Sequence, residues 1–487
     1  MKKYKVGKIL GTIVLSAALL LTSGICTGLE VSAAAQKLQS IVSADGQYTY
    51  EVWAGTATLI EYHGTAAEVV VPDTIDGFPV QGLRETFEGN AAITSVTIPA
   101  GITAISDTVF KGCKSIQSFT VVPENPNFAN DAEGVLYSKD LTTLYRYPVG
   151  KHQPSGTYTI PATVVNVYGY AFEGYSTPGI VIPGNVKTIG DYAFANTGNF
   201  NGVTTWEEGT TLIGTYAFYG CTNLRVTLPS TVNTIGVYAF ANCKNIQIDI
   251  SKCALTEIAD YLFYDCDNLH ELTLPATVTR VGAYAFHNCN NLNEVKFPAG
   301  LKQIAEGAFK GCANLHTVEV PEGVTAIENK TFEGCQNLNK VVLPSTLTKI
   351  GDNAFAGCRN IHQINIPEGV KYISNSSFNG VDMTKIGLKV SVKATKLKSA
   401  KKSGKKVKLT WKKVKDATGY VIYRSTKKNK GYKKIKTIKG NKKFTYKDGK
   451  KLKKKKTYYY KIKVCRKLSG KTYYSKYSNM KKVKIKK

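Results

Sequence analysis

Eight cysteines, at 113, 221, 243, 266, 289, 312, 335 and 358, each stand three residues after a phenylalanine. Ten cysteines follow residue 35, and an even count would allow disulfides in an oxidising compartment. Equivalent positions in successive turns of a stacked chain, however, lie about 4.7 to 4.9 Å apart and face the same way along the stack. Parallel side-chain vectors favour small buried thiols acting as apolar filler, since free Cys is among the most buried residue types. Cys253 and Cys465 stand outside the series. His270, His316 and His362 alternate with Asn293 and Asn339 at one repeated position. Two repeats separate these imidazoles by roughly 10 Å, too far to share a metal at bonds of about 2 Å. Surface hydrogen bonding is their expected role. Glu207 and Glu208 form an adjacent carboxylate pair, but neighbours in sequence rarely make the opposed pair that glycoside hydrolysis needs, and the position reads as an exposed turn. No His-Glu-x-x-His helix, Gly-x-Ser-x-Gly elbow or Gly-rich phosphate loop occurs in the chain. The expectation is a protein that is not an enzyme, with no catalytic residue, cofactor or bound metal.

The elements that would carry these residues recur. Phenylalanines stand at 172, 194, 218, 240, 263, 286, 309, 332, 355 and 378, with most steps 23 residues, two of 22 and one of 24. Self-similarity at such a period means a solenoid. One unit, residues 337–358, parses into two short strands and a turn. Leu338, Val341 and Leu343 point inward, Leu347 and Ile350 form a second apolar pair, and Ala354-Phe355 caps the coil. Pro344, with its equivalents Pro275, Pro298, Pro321 and Pro367, marks where the first strand stops, because proline cannot donate to a ladder. Each coil alone leaves its apolar side in water, and stacking removes that area at about 25 cal/mol per Å². Phe110 to Phe172 spans 62 residues, so an irregular insert, a bulging hairpin or an irregular coil at about 120–160, interrupts the array.

The unit Leu-x-x-Val-x-Leu-Pro-x-x-Val-x-x-Ile-Gly-x-x-Ala-Phe-x-x-Cys resembles the BspA-like, treponemal-type leucine-rich repeats of bacterial surface proteins, over about residues 45–380. The segment from Asn125-Pro126-Asn127 to Gly134-Val135-Leu136-Tyr137 resembles an insert common in such arrays. The resemblance implies a β-solenoid displayed on a cell surface, with adhesion to host proteins and cells among the family's roles, and no shared catalytic residues. Period-2 alternation on the first strand of each coil places Glu271 and Thr273, Glu294 and Lys296, Thr317 and Glu319, Lys340 and Val342, and Gln363 and Asn365 outward. That mixed polar face, without an aromatic stripe, is the candidate ligand face. It suits protein recognition better than stacking on sugars or bases.

Charge divides the chain. Residues 36–388 hold 21 Lys+Arg against 32 Asp+Glu, net −11, whereas 389–487 hold 40 against 2, net +38. The basic segment alternates apolar and polar residues in short runs, as an antiparallel sandwich does, and resembles a fibronectin type III domain. Trp411 matches the buried strand-B tryptophan, Gly419-Tyr420-x-x-Tyr423 the C strand, Leu452 and Tyr458 the tyrosine corner, and Ser475-x-x-Ser478 the last strand. No Arg-Gly-Asp loop is present, so integrin binding is not implied. Such a charge on so small a domain calls for a polyanion, screened only partly at a Debye length of about 8 Å. Of its 40 cations 38 are lysine, which acts as a point charge, so diffuse attraction without specific nucleic-acid readout is expected. The run Lys453, Lys454, Lys455 and Lys456 supplies the candidate contacts.

At the other end, Lys2, Lys3, Lys5 and Lys8 precede a 13-residue apolar run, Ile9 to Leu21, and the small-residue stretch Ser32-Ala33-Ala34-Ala35. This reads as a secretory signal cleaved near Ala35, with a run too short to span a membrane. No transmembrane segment is expected in the mature chain. The domain reading is a signal peptide at 1–35, an N-terminal cap region at 36–85, a leucine-rich repeat solenoid at 86–388 and a Lys-rich fibronectin type III-like domain at 389–487. The functional expectation is an exported, adhesin-like binding protein of a Gram-positive surface. Its solenoid recognises a host or neighbouring-cell surface protein, and its basic domain holds an anionic cell-wall polymer or other polyanion. The alternatives are a structural wall component without host ligand, or accessory modules of a wall- or polysaccharide-acting system.

Overall fold

The structure, a computed structural model, describes residues 39–485 except 152–155, 177–178, 199–204, 383–388, 391, 415–416, 450–451 and 469–470. The expected signal peptide lies outside the described residues. Every element among the described residues is a β-strand, and none is a helix long and apolar enough to cross a membrane.

Each 23-residue unit forms one coil. Its first strand, as in Glu271–Thr273, Glu294–Lys296, Thr317–Glu319 and Lys340–Val342, pairs in parallel with its equivalent one coil away, Leu272 opposite Val295 and Val318 opposite Val341. The second strand does the same, with Ile327, Ile350 and Ile373 in register. Between the strands, each proline carbonyl accepts the amide of the residue three on, as Pro344 accepts Leu347 at 3.2 Å, which closes the turn where the strand ends. The phenylalanines of the third side are buried. From Phe172 to Phe378 successive rings lie 4.9 to 5.8 Å apart and within 4 to 18° of parallel. A fully buried phenylalanine stabilises by roughly 1.5–3 kcal/mol, and the repeat sums that contribution along the stack.

The cap is an antiparallel hairpin, Tyr48–Trp53 with Thr56–Tyr62, whose second strand also pairs in parallel with Phe78–Leu83 and so starts the ladder. At the insert, Phe128–Asn130, Leu136–Ser138 and Thr143–Arg146 form an antiparallel meander, and the last of these rejoins the parallel ladder beside Asn166–Val167. Tyr147 stacks on Phe172 at 5.4 Å, standing where a regular coil has its phenylalanine. Asn125 explains the Asn-Pro-Asn sequence: fully buried, it donates to the Pro99 and Ile102 carbonyls and accepts from the amides of Asn127 and Phe128. The strand Lys389–Val390 pairs with Gln363–Ile366, so the parallel sheet runs two residues past the break in charge.

Beyond it, a three-stranded antiparallel sheet (Leu397–Ser403, Lys406–Trp411, Thr445–Asp448) and a five-stranded one (Gly419–Ser425, Lys433–Lys439, Thr457–Leu468, Lys471–Tyr474, Lys481–Lys484) contribute to one apolar core containing Trp411, Tyr420 and Tyr460. Ser475 and Ser478 differ from expectation. They lie between two short strands rather than within the last one, and their hydroxyls accept the amides of Val464 and Ile462, both at 2.9 Å. A hydroxyl thus replaces the carbonyl a regular strand would offer.

Candidate functional site

The outward residues of the first strands form one continuous face. Glu271, Thr273, Glu294, Lys296, Glu319, Gln363 and Asn365 are exposed, and Thr317 and Lys340 half-buried. A groove of about 1060 Å³ runs across four of the coils. It gathers Glu271, Glu294, Lys296, Thr317 and Glu319, and leaves Thr273, Lys340, Gln363 and Asn365 outside. Asn293, Phe297, His316 and Glu322 are among the lining residues not singled out in the sequence for this face. Phe297 stands where neighbouring coils carry Leu274, Val320 and Leu343, and is half-buried among the apolar lining residues Val295, Val320, Val342 and Leu343. Four glutamates against one lysine make the groove acidic. Lys340 approaches Glu319 only at 4.0 Å with both side chains open to water, a pair worth little in solvent. His270, His316 and His362 are exposed and do not converge; His316 lines the groove and the other two lie outside it.

The other ribs hold the coils in register. Each ladder cysteine donates its thiol to the carbonyl of the phenylalanine one coil back, as Cys289 does to Phe263 at 3.1 Å, with all eight such bonds between 2.9 and 3.1 Å. The cysteines are therefore hydrogen-bond donors as well as filler, a role that spacing alone does not reveal. All ten described cysteines are free and buried. Burial pushes the Cys113 thiol up to about 11 and the Cys358 thiol up to about 12, which keeps these two protonated and slow as nucleophiles. Native protein should therefore resist alkylation on the timescale of a free thiol. Titration of denatured, unreduced protein beginning after residue 35 should return ten free cysteines, and a titre short by several pairs would contradict the ladder.

An asparagine rib runs beside it. Asn245, Asn268, Asn291, Asn314, Asn337 and Asn360 each donate a side-chain amide to the asparagine one coil back, at 2.6 to 3.2 Å, starting on Asn223. Glu207 and Glu208 reach to opposite neighbours. Glu207 accepts the amide of Gly184, and Glu208 accepts the amide and hydroxyl of Ser230. They clamp coils instead of facing a substrate together.

A third rib is aromatic. Tyr170, Tyr192, Tyr216, Tyr238, Tyr261 and Tyr284 stand two residues before successive phenylalanines, and their rings stack at 4.5 to 5.3 Å. All six have φ between 53 and 59°, a region bulky residues seldom enter. Lys111 covers the first ring at 5.7 Å. Gly307, also left-handed, closes the other end, where a Cβ would sit 2.4 Å from the Tyr284 ring. The strand face has no aromatic stripe, but the turn side has one. Its ring faces are covered by one another, so it braces the coils and offers edges and hydroxyls.

On the basic domain, Lys453, Lys454, Lys455 and Lys456 are all exposed on the turn before Thr457–Leu468. The Tyr458 hydroxyl accepts the Lys453 amide at 2.9 Å and fixes the start of that turn. Among the described residues no cluster of three or more His, Cys, Asp or Glu is placed to hold a metal ion.

The profile of the BspA type leucine-rich repeat region matches residues 83–144, 153–255, 203–307 and 256–385, which together exceed half the chain. The chain belongs to the BspA-type leucine-rich repeat family. This BspA-type chain is also similar to solved structures. A leucine-rich cell surface protein of Faecalibacterium prausnitzii is 21% identical over 72% of this chain and 97% of its own, with a TM-score of 0.40. The pneumococcal vaccine antigen PcpA is 18% identical over 70% and 85%, with a TM-score of 0.41. For a leucine-rich repeat protein of Eubacterium ventriosum the figures are 20%, 60% and 64%, with a TM-score of 0.38, so the match spans under two thirds of that relative's length. No curated protein matches the chain.

Proposed function

We propose that this chain is an exported surface protein that binds another protein through the acidic groove of its solenoid and catalyses nothing. The observation that carries the reading is the groove itself: Glu271, Glu294, Glu319 and Glu322 around the half-buried Phe297. A charged rim about an apolar centre is the usual anatomy of a protein interface. The partner is a host or neighbouring-cell surface protein presenting a basic patch. The basic domain is a fibronectin type III-like sandwich that retains the protein on an anionic polymer of a Gram-positive wall. Its two antiparallel sheets, buried Trp411 and the Tyr458-to-Lys453 bond support that assignment.

The experiment is charge reversal in the groove of the whole protein. Glu294→Lys with Glu319→Lys should lower binding to cultured host cells and matrix proteins on the order of tenfold, at about 1 kcal/mol or less per rim charge. Thermal stability should barely change, since both side chains are exposed. Unchanged binding would remove the groove from the interface.

A further inference from the structure

The basic domain carries a second surface that the lysine run does not explain. Along Thr457–Leu468 the residues Tyr458, Tyr460, Ile462 and Val464 are buried in the core, so Tyr459, Lys461 and Lys463 stand on the opposite face of the five-stranded sheet. Tyr423 lies directly opposite Lys461 on the neighbouring strand. The Lys461 ammonium sits 4.6 Å from the centre of the Tyr432 ring and 5.5 Å from that of Tyr477, and Lys463 sits 4.5 Å from Tyr477. Tyr423 meets Tyr477 edge-on at 5.1 Å. Tyrosine rings and ammonium groups therefore interleave across one open sheet.

Among the described residues of this domain no carboxylate lies on this face. The domain holds two acidic residues, Asp416 and Asp448. Asp448 is fully buried, held by Arg424 and by the Tyr460 hydroxyl, and so neutralises nothing on the surface. A polymer of phosphates without rings would need only the lysines, and they could stand anywhere. Rings set between the lysines match a polymer that carries one anion for each flat ring. Aromatic platforms in a basic setting hold single strands by stacking successive bases, without reading sequence.

We propose that the Tyr423, Tyr432, Tyr477, Lys461 and Lys463 face binds single-stranded nucleic acid without sequence preference. The inference rests on the polyanion reading of this domain and gives this second face a ligand class of its own, beside the wall polymer proposed for the domain. A base displaces the lysine from the ring, and the freed ammonium meets the adjoining phosphate.

The test uses the full chain and fluorescence anisotropy at about 0.05 to 0.3 M salt, because phosphate contacts weaken steeply over that range. The probes are a labelled oligothymidylate, a duplex of equal phosphate count, polyphosphate and heparin. Tyr432→Leu with Tyr477→Leu should weaken oligothymidylate roughly tenfold or more, as loss of a stacked base does, and leave polyphosphate unchanged. Tyr432→Phe with Tyr477→Phe should restore binding, because the ring acts and not the hydroxyl; thermal unfolding checks that each variant folds. If the leucine variant leaves oligothymidylate unaffected, or weakens every probe equally, stacking is refuted while the polyanion reading stands. If heparin alone depends on the rings, the ligand is an anionic glycan and the nucleic-acid inference falls. If no probe binds at the lowest salt, both readings fail together.

Discussion

Replacing Glu173 by alanine should destabilise the protein by about 3–5 kcal/mol, the cost of leaving a buried charge without its partner. The array breaks at the insert, and two apolar clusters, one ending at Leu136 and the other beginning at Val135, meet there. In regular coils the amide two residues after the phenylalanine donates to a backbone carbonyl one coil on, as Gly311 does to Glu333. Gly112 has no such coil ahead of it and donates instead to the Glu173 carboxylate at 2.8 Å. The same carboxylate lies 3.9 Å from Arg146, which is 2% exposed and donates to the Tyr170 carbonyl. Burial pulls the Arg146 guanidinium down and Glu173 holds it charged. Glu173→Gln, which keeps an acceptor for Gly112, should cost less than alanine. Glu173→Gln combined with Arg146→Met should recover most of the loss, because replacing both members of a buried pair is often neutral. Denaturant unfolding measures all three, and a loss below about 1 kcal/mol for Glu173→Ala, the range of exposed pairs, would show that the pair does not join the two parts.

Phe286→Ala should cost a similar amount, about 3–5 kcal/mol, for a different reason. Its ring is fully buried between Phe263 at 5.5 Å and Phe309 at 5.0 Å, so truncation leaves a cavity that two rigid neighbours cannot fill. Coils contact only their neighbours, and the damage should be local. Hydrogen exchange should rise in the coils of Phe263, Phe286 and Phe309 and stay unchanged in the cap. Uniform loss of protection along the array would contradict independent coils.

Much of this architecture is legible in the residues because each inward position recurs at a fixed step. Leu338, Val341, Leu347, Ile350 and Phe355 are buried as their spacing requires. The cysteine positions were equally legible, but their bonds to a carbonyl one coil back depend on the offset between coils, which a single unit does not contain. The tyrosine rib was visible as Tyr-x-Phe in six successive coils, yet propensity gives no reason for a bulky residue at positive φ. Arg146 and Glu173 meet because a meander replaces a coil, and no periodicity links residues 27 apart. The outward strand residues follow from alternation. The groove among them depends on Phe297 and Glu322, which lie beyond the strands. On the basic domain, alternation places Lys461 and Lys463 on one side, but the rings they meet come from other segments.

In the function we propose, one chain uses two surfaces of opposite charge for two partners. The most direct measurement adds the intact protein and its Glu294→Lys/Glu319→Lys variant to purified Gram-positive cell walls and to host cells, at about 0.15 M and 1 M salt, between which the Debye length falls from about 8 to 3 Å. Wall binding should be lost at high salt and be indifferent to the variant, while host-cell binding should be weakened by the variant at about 0.15 M salt and fall only in part at about 1 M, where the apolar contacts around Phe297 remain. Binding to neither surface, or both bindings changing together with salt and variant, would contradict the proposed function.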